Sequence, residues 1–251
     1  MASRAATLWL GLILWMPLFW HAPGVRALPS ITDPAFIQSC LDQHNAARSE
    51  VDPPATNMMG MTWDEALAKS ARAWGKNCIF KHNPSLQQKG AVHPTFFPIG
   101  ENIFISSGGF SAKQAIKRWI AEMSYYDYST NKCKPQQMCG HYTQVVWANS
   151  YKVGCAVSDC PNGIKGSGLR GPSIIFVCDY APAGNYIGAF PYKMGESCSA
   201  CPICKDNLCR NAERDEVKKY PQWNPNFGSA SISLCDQLLM LTSIIVIYIL
   251  Q

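Results

Sequence analysis

Four cysteines, Cys198, Cys201, Cys204 and Cys209, stand in a C-x2-C-x2-C-x4-C spacing. Thiolates this close in sequence can ligate zinc or an iron–sulfur cluster. They can equally close two small disulfides. Twelve cysteines in 251 residues is high for a reducing cytosol and ordinary for an oxidised, secreted chain. Disulfides are therefore expected here. A second pattern, Gly166-Ser167-Gly168-Leu169-Arg170-Gly171, matches G-x-G-x-x-G. Dinucleotide binding needs a strand before it and a helix after it. Pro172 and an apolar run follow instead, so the match is rejected. No P-loop, H-E-x-x-H or G-x-S-x-G segment occurs. A net charge of +5, with no segment lined by Lys and Arg, excludes nucleic acid as a partner.

The elements that must position any site are legible in part. Asp33-Pro34 is an N-cap with proline at the first helical position. Ile37, Cys40, Leu41, His44 and Arg48 follow at helical spacing. A second helix starts at Asp64, with Leu67, Ala71, Trp74 and Cys78 on one face. A third starts at Ser111, with Gln114 completing a capping box and Ile116, Trp119, Ile120 and Met123 as its apolar stripe. Strands are expected over 143–148, 153–158 and 173–180, which are rich in Val, Ile and aromatics. Helices followed by antiparallel strands indicate an α+β layered domain. His44 reads as a core residue of the first helix and His93 as a loop residue. Hydrophobic content of 47% with 16% charge excludes a disordered chain.

Both ends read as processing signals. Arg4, the apolar run Leu8–Trp20 and the cleavage-site residues Val25-Arg26-Ala27 form a secretory signal peptide over 1–27. At the other end, Leu238–Leu250 is a largely apolar run of thirteen residues, about 20 Å of helix against a ~30 Å hydrocarbon core. Extending it to Ile232 would bury Asp236 at a cost of several kcal/mol. Small residues Gly228-Ser229-Ala230-Ser231, a short spacer and a terminal apolar tail form a glycosylphosphatidylinositol (GPI) attachment signal over 229–251, with Gly228 as the lipid-bearing residue. Asn83-Pro84-Ser85 is not a glycosylation sequon, because proline occupies its middle position. The expected organisation is a domain over 28–195, a Cys-rich hinge over 196–210 and a linker or stalk over 211–228.

Two runs carry a specific resemblance: Gly140-His141-Tyr142-Thr143-Gln144-Val145-Val146-Trp147, and Ile175 to Tyr186 (IFVCDYAPAGNY). They resemble the two signatures of the CAP superfamily, which comprises cysteine-rich secretory, antigen 5 and pathogenesis-related proteins. Gly100-Glu101-Asn102, Trp119-x-x-Glu122 and His44-Asn45-x-x-Arg48 are similar to its other motifs. The resemblance spans residues 33–192 and implies a three-layer α-β-α sandwich. The short Cys-rich extension and apolar tail resemble the glioma pathogenesis-related-like branch. Asp179 departs from the second signature, which usually carries a polar uncharged or basic residue there.

The resemblance implies disulfides Cys78–Cys160, Cys133–Cys139, Cys155–Cys178, Cys198–Cys204 and Cys201–Cys209, leaving Cys40 as a buried thiol. It also carries over four site residues: His82, Glu101, Glu122 and His141. Two imidazoles and two carboxylates can ligate Zn²⁺ at ~2.0–2.2 Å. They can equally form a hydrogen-bonded cluster that organises a cleft. Each partly buried Glu should raise its His pKa, so metal binding should weaken as pH falls. No required cofactor is expected, and Zn²⁺ is the candidate ion. A hydrolase would need a nucleophile or activated water with an oxyanion hole, and no segment supplies these recognisably. The implied function is non-enzymatic recognition by a GPI-anchored protein on the sperm surface, with an egg-coat or cell-surface protein as partner in sperm–egg binding or fusion. The alternatives are a metal-dependent hydrolase using the His/Glu cleft, and a secreted lipid or sterol carrier.

Overall fold

A computed structural model describes residues 28–228 of the chain. The expected signal peptide over 1–27 and the attachment signal over 229–251 lie outside the described residues. Helix α1 runs Pro34–Ser49, α2 Glu65–Gly75, α3 Ala112–Ala121, α4 Gly140–Val145 and α5 Ala212–Asp215. A 3-10 turn, Glu122–Tyr125, continues α3. Asp33 caps α1 by accepting from Ala35 and Phe36 N–H, and Asp64 caps α2 through Leu67 N–H. Ser111 caps α3 through Gln114 N–H. These starts coincide with the sequence signals. Met123, expected on the α3 stripe, falls in the 3-10 turn and is exposed. Cys78 lies beyond the end of α2.

The strands are β1 Thr62–Trp63, β2 Gly100–Ser106, β3 Tyr126–Asp127, β4 Lys132–Cys133, β5 Lys152–Cys160, β6 Ser173–Ala181, β7 Cys204–Lys205 and β8 Leu208–Cys209. The central sheet has the order β1-β5-β6-β2. β2 and β5 flank β6 in antiparallel register, whereas β1 joins β5 in parallel. Side chains alternate across the sheet. Asp179 and its cross-strand neighbour Gly154 face α2, where a Cβ on Gly154 would collide with the backbone of Asp64, Leu67 and Ala68. Tyr180 points the other way, to His44 of α1. The layers are therefore α2, the sheet, and the group α1, α3 and α4, a three-layer α-β-α sandwich. Nearly every residue of β5 and β6 is buried, as a central strand covered on both faces requires.

The expected set of strands is corrected in two places. The strand over 143–148 is absent, since α4 occupies Gly140–Val145. Its β-branched residues suggested a strand, but the first-turn N–H groups of His141 and Tyr142 find an acceptor in Glu122 Oε2, which satisfies the helix start. Strand β2, not anticipated, carries the Gly100-Glu101-Asn102 motif.

The described chain contains the disulfides Cys78–Cys160, Cys133–Cys139, Cys155–Cys178, Cys198–Cys204 and Cys201–Cys209. Among the described residues Cys40 is the unpaired cysteine, and it is buried. Of residues 211–228, expected as a linker or stalk, the first part holds α5 and 216–228 form a strap across α2. Lys69 Nζ donates to Tyr220 O at 2.7 Å, Trp223 Nε1 to Ser70 Oγ at 3.2 Å and Asn77 Nδ2 to Phe227 O at 3.1 Å. Phe227 packs against Trp74 of α2 and Tyr220 against His93, contacts that a composition reading of Pro and polar residues does not reveal.

Candidate functional site

The four expected residues form two pairs, each of an imidazole and a carboxylate. In the first, His82 follows α2 in a loop and Glu101 lies on β2. Their Nδ1–Oε1 distance is 2.8 Å, and Asn83 N–H donates to the same oxygen at 3.1 Å. The His82 side chain is 65% exposed, whereas that of Glu101 is fully buried. The hydrogen bond to Glu101 raises the His82 pKa. Burial raises that of Glu101, against the pull of His82.

In the second pair, Glu122 sits where α3 passes into its 3-10 turn and His141 lies in the first turn of α4. His141 Nδ1 and Glu122 Oε1 are 2.6 Å apart, and Glu122 Oε2 accepts from the His141 and Tyr142 N–H groups. The Trp119 ring stacks on the His141 ring at 6.1 Å between centroids, with an interplanar angle of 11°. One carboxylate therefore starts α4 and also orients the imidazole.

Asn102 joins the pairs. It follows Glu101 on β2 and faces the opposite side of the sheet, donating to His141 O at 3.0 Å and to Tyr180 Oη at 3.2 Å. Tyr180 Oη in turn meets His44 Nε2 at 2.9 Å. His44 is fully buried in α1, and burial lowers its pKa to about 4. Arg48, also buried, donates to the carbonyls of Met59, Val145, Trp147 and Ala148. It thereby ties α1 to the C-terminal end of α4, where a cation is favoured. His93 stays in its loop but is buried, 3.2 Å from Asp64.

Asp179 stands beside Glu101 in the β2–β6 register, on the same face of the sheet. It is fully buried, and neither carboxyl oxygen has a hydrogen-bond partner. Burial, reinforced by Glu101, pushes its pKa well above the usual carboxylate range. A second carboxyl thus lies beneath the first pair. The departure at position 179 marked it in the sequence, but not its contact. Asn102 and Tyr180 lay within quoted motifs without an assigned role.

The donor set suits a divalent metal in one respect. Nδ1 of each imidazole is held by a carboxylate, leaving Nε2 of each ring as the atom able to ligate, an arrangement common around zinc. In another respect it is open. Among the described residues, the group of three metal-ligating side chains whose donor atoms lie within 4.8 Å of one another is Cys198, Cys201 and Cys209. All three are in disulfides. The two His/Glu pairs would thus supply two protein ligands rather than a closed tetrahedral set.

The model of the cysteine-rich secretory protein (CAP) family matches residues 41–180, which contain all four site residues. The chain belongs to the CAP family. It is 49% identical over 224 residues to GLIPR1-like protein 1 of Bos taurus, covering 88% of this chain and 89% of the relative. It is 44% identical over 255 residues to glioma pathogenesis-related protein 1 of Mus musculus, covering 96% and 94%. Peptidase inhibitor 15 of Gallus gallus is 43% identical over 184 residues, covering 67% and 68%. These relatives carry pathogenesis-related and peptidase-inhibitor names rather than enzyme names. Among solved structures, that described as NaASP2 with Zn2+ matches this CAP domain with a TM-score of 0.55 and 30% identity, covering 74% of this chain and 99% of that one. The BmVAL-1 structure matches with a TM-score of 0.54 and 26% identity, over 76% and 99%.

Proposed function

We propose that this CAP protein is a secreted, GPI-anchored recognition module without turnover, displayed on the sperm surface and engaging an egg-coat or cell-surface protein in gamete binding or fusion. The observation that carries the non-enzymatic part is the state of the two carboxylates. Glu122 is bound through both oxygens to His141 and the start of α4. Glu101 is bound through Oε1 to His82 and Asn83. Glu122 has both oxygens engaged, and the second oxygen of Glu101 is unpartnered but buried, whereas a general base must be free to reach a substrate proton or its water. The hydrolase alternative needs one of them released. The gamete role rests on the family likeness alone, and fold does not fix function.

His82 and His141 would offer Nε2 as ligands to a Zn²⁺ ion, with Glu101 and Glu122 holding the rings. The zinc named for the NaASP2 structure supports this assignment. Bound there, it would supply a positively charged docking point. The test is a double replacement of His82 and His141 by Ala in the full chain. Partner binding to isolated egg coats should persist, or fall only by its zinc-dependent part. Loss of a hydrolytic turnover in the double variant would favour the enzyme, and absence of egg-coat binding by the wild type would remove the gamete reading.

One observation favours a second reading, lipid or sterol carriage. An open groove of about 910 Å³ lies between the start of α1 and the turn before α3, lined by Leu28, Pro29, Phe36, Phe110 and Ile174 among others. Saturable uptake of a labelled sterol by the released protein would support it, and its absence would remove it.

A further inference from the structure

The strap over 216–228 fixes where the chain leaves the folded domain. Phe227 packs edge-on against Trp74 of α2, with ring centroids 6.5 Å apart, and its carbonyl accepts from Asn77. Gly228 therefore emerges beside the C-terminal end of α2. Three exposed lysines lie near that end of α2. Lys76 is the C-cap of α2, and the Trp74 indole donates to the Lys81 carbonyl at 2.9 Å. Lys165 is brought alongside by two backbone bonds, Phe80 N–H to Lys165 O at 2.8 Å and Lys165 N–H to Cys78 O at 2.9 Å. Between them Phe80 is 43% exposed. The Cys78–Cys160 disulfide braces the same surface.

We infer that this face, formed by Lys76, Phe80, Lys81 and Lys165 around the exit of Gly228, lies against a lipid surface. The lysines would meet headgroup phosphates and the Phe80 ring would enter the interface. Two observations select a membrane as the occupant. The chain beyond Gly228 holds 23 residues, of which Leu238–Leu250 is apolar. The strap also removes the free tether that would let the domain swing away from whatever holds Gly228. The inference rests on the membrane-displayed reading, and it replaces a stalk with a domain seated α2-side down. The opposite layer, with α1, α3 and His141, would then face outward.

The full chain, expressed in cells, provides the test. Treatment with phosphatidylinositol-specific phospholipase C reports the anchor. The soluble protein, whether released by the lipase or shed into the medium, is then floated with phosphatidylcholine vesicles with or without phosphatidylserine, at low and physiological salt. Wild-type protein should float with the anionic vesicles, less so as salt rises. Reversing all three charges (K76E, K81E and K165E together) should weaken binding by at least about a hundredfold, from the usual contribution of each lysine near an anionic surface. Reversal of Lys113, Lys117 and Lys132 should leave it unchanged. Phe80→Ser, which alters no charge, should weaken binding at physiological salt. Release without flotation, or equal flotation of the wild type and the triple variant, would overturn the docking face while leaving the anchor. Flotation without release would uphold the face and remove the anchor.

Discussion

Asn102 Nδ2 donates to the backbone carbonyl of His141 across 3.0 Å, while the preceding residue, Glu101, holds the His82 ring. One strand thus reaches both halves of the site, one residue on each face of the sheet. Replacing Asn102 by Ala should leave the His141 carbonyl and the buried Tyr180 hydroxyl without this donor. A loss of about 1–3 kcal/mol is expected from the unmade hydrogen bonds. Denaturant unfolding measures it, and zinc titration should show a parallel weakening.

The pH dependence of the first pair has a definite sign. The Glu101 hydrogen bond raises the folded pKa of His82. The stability it contributes is fully present below the unfolded His value of about 6.5 and is lost as pH rises through the folded value. Zinc needs neutral imidazole and acts oppositely. Melting temperatures with and without zinc should therefore converge toward pH 6 and separate toward pH 8. A zinc-induced rise in melting temperature that is independent of pH would exclude His82 as a ligand.

Glu122→Gln should damage the second pair more than its size change suggests. The amide supplies one acceptor where the carboxylate supplied two, against the Nδ1–H of His141 and two backbone donors. Zinc affinity should fall about 10- to 100-fold, as it does when groups supporting a ligating His are removed. Calorimetric titration of the variant beside the wild type checks this.

Cys40 is buried and burial pushes its thiol pKa up, so the reactive thiolate is scarce. An alkylating reagent should leave it unmodified in the native protein. In denaturant without reductant, mass spectrometry should place the adduct on Cys40. Rapid native labelling at that residue would contradict the packing of α1.

The strap should contribute to stability rather than merely trail from the domain. Phe227→Ala removes the contact with Trp74 and, because the ring is only partly buried, should cost about 1 kcal/mol. A melting temperature unchanged by both Phe227→Ala and Trp223→Ala would show that the strap does not hold.

By itself, the sequence determined the features that depend on neighbours in the chain. Asp33-Pro34, Asp64 and Ser111 start helices because a capping oxygen needs only the next three residues. The apolar runs of β5 and β6 are legible because a strand covered on both faces has few polar positions. The resemblance to CAP proteins named His82, Glu101, Glu122 and His141, yet the sequence stated nothing about which meets which. Tertiary structure decided the pairing, because Glu101 and His82 come from different elements and meet only when β2 joins β6. It also decided that residues 140–145 form a helix, since the acceptor for its first N–H groups belongs to Glu122 in the 3-10 turn after α3. The buried Asp179 beneath Glu101 and the strap across α2 are decided in the same way. Each depends on a partner distant in sequence, and local propensity carries no record of such partners.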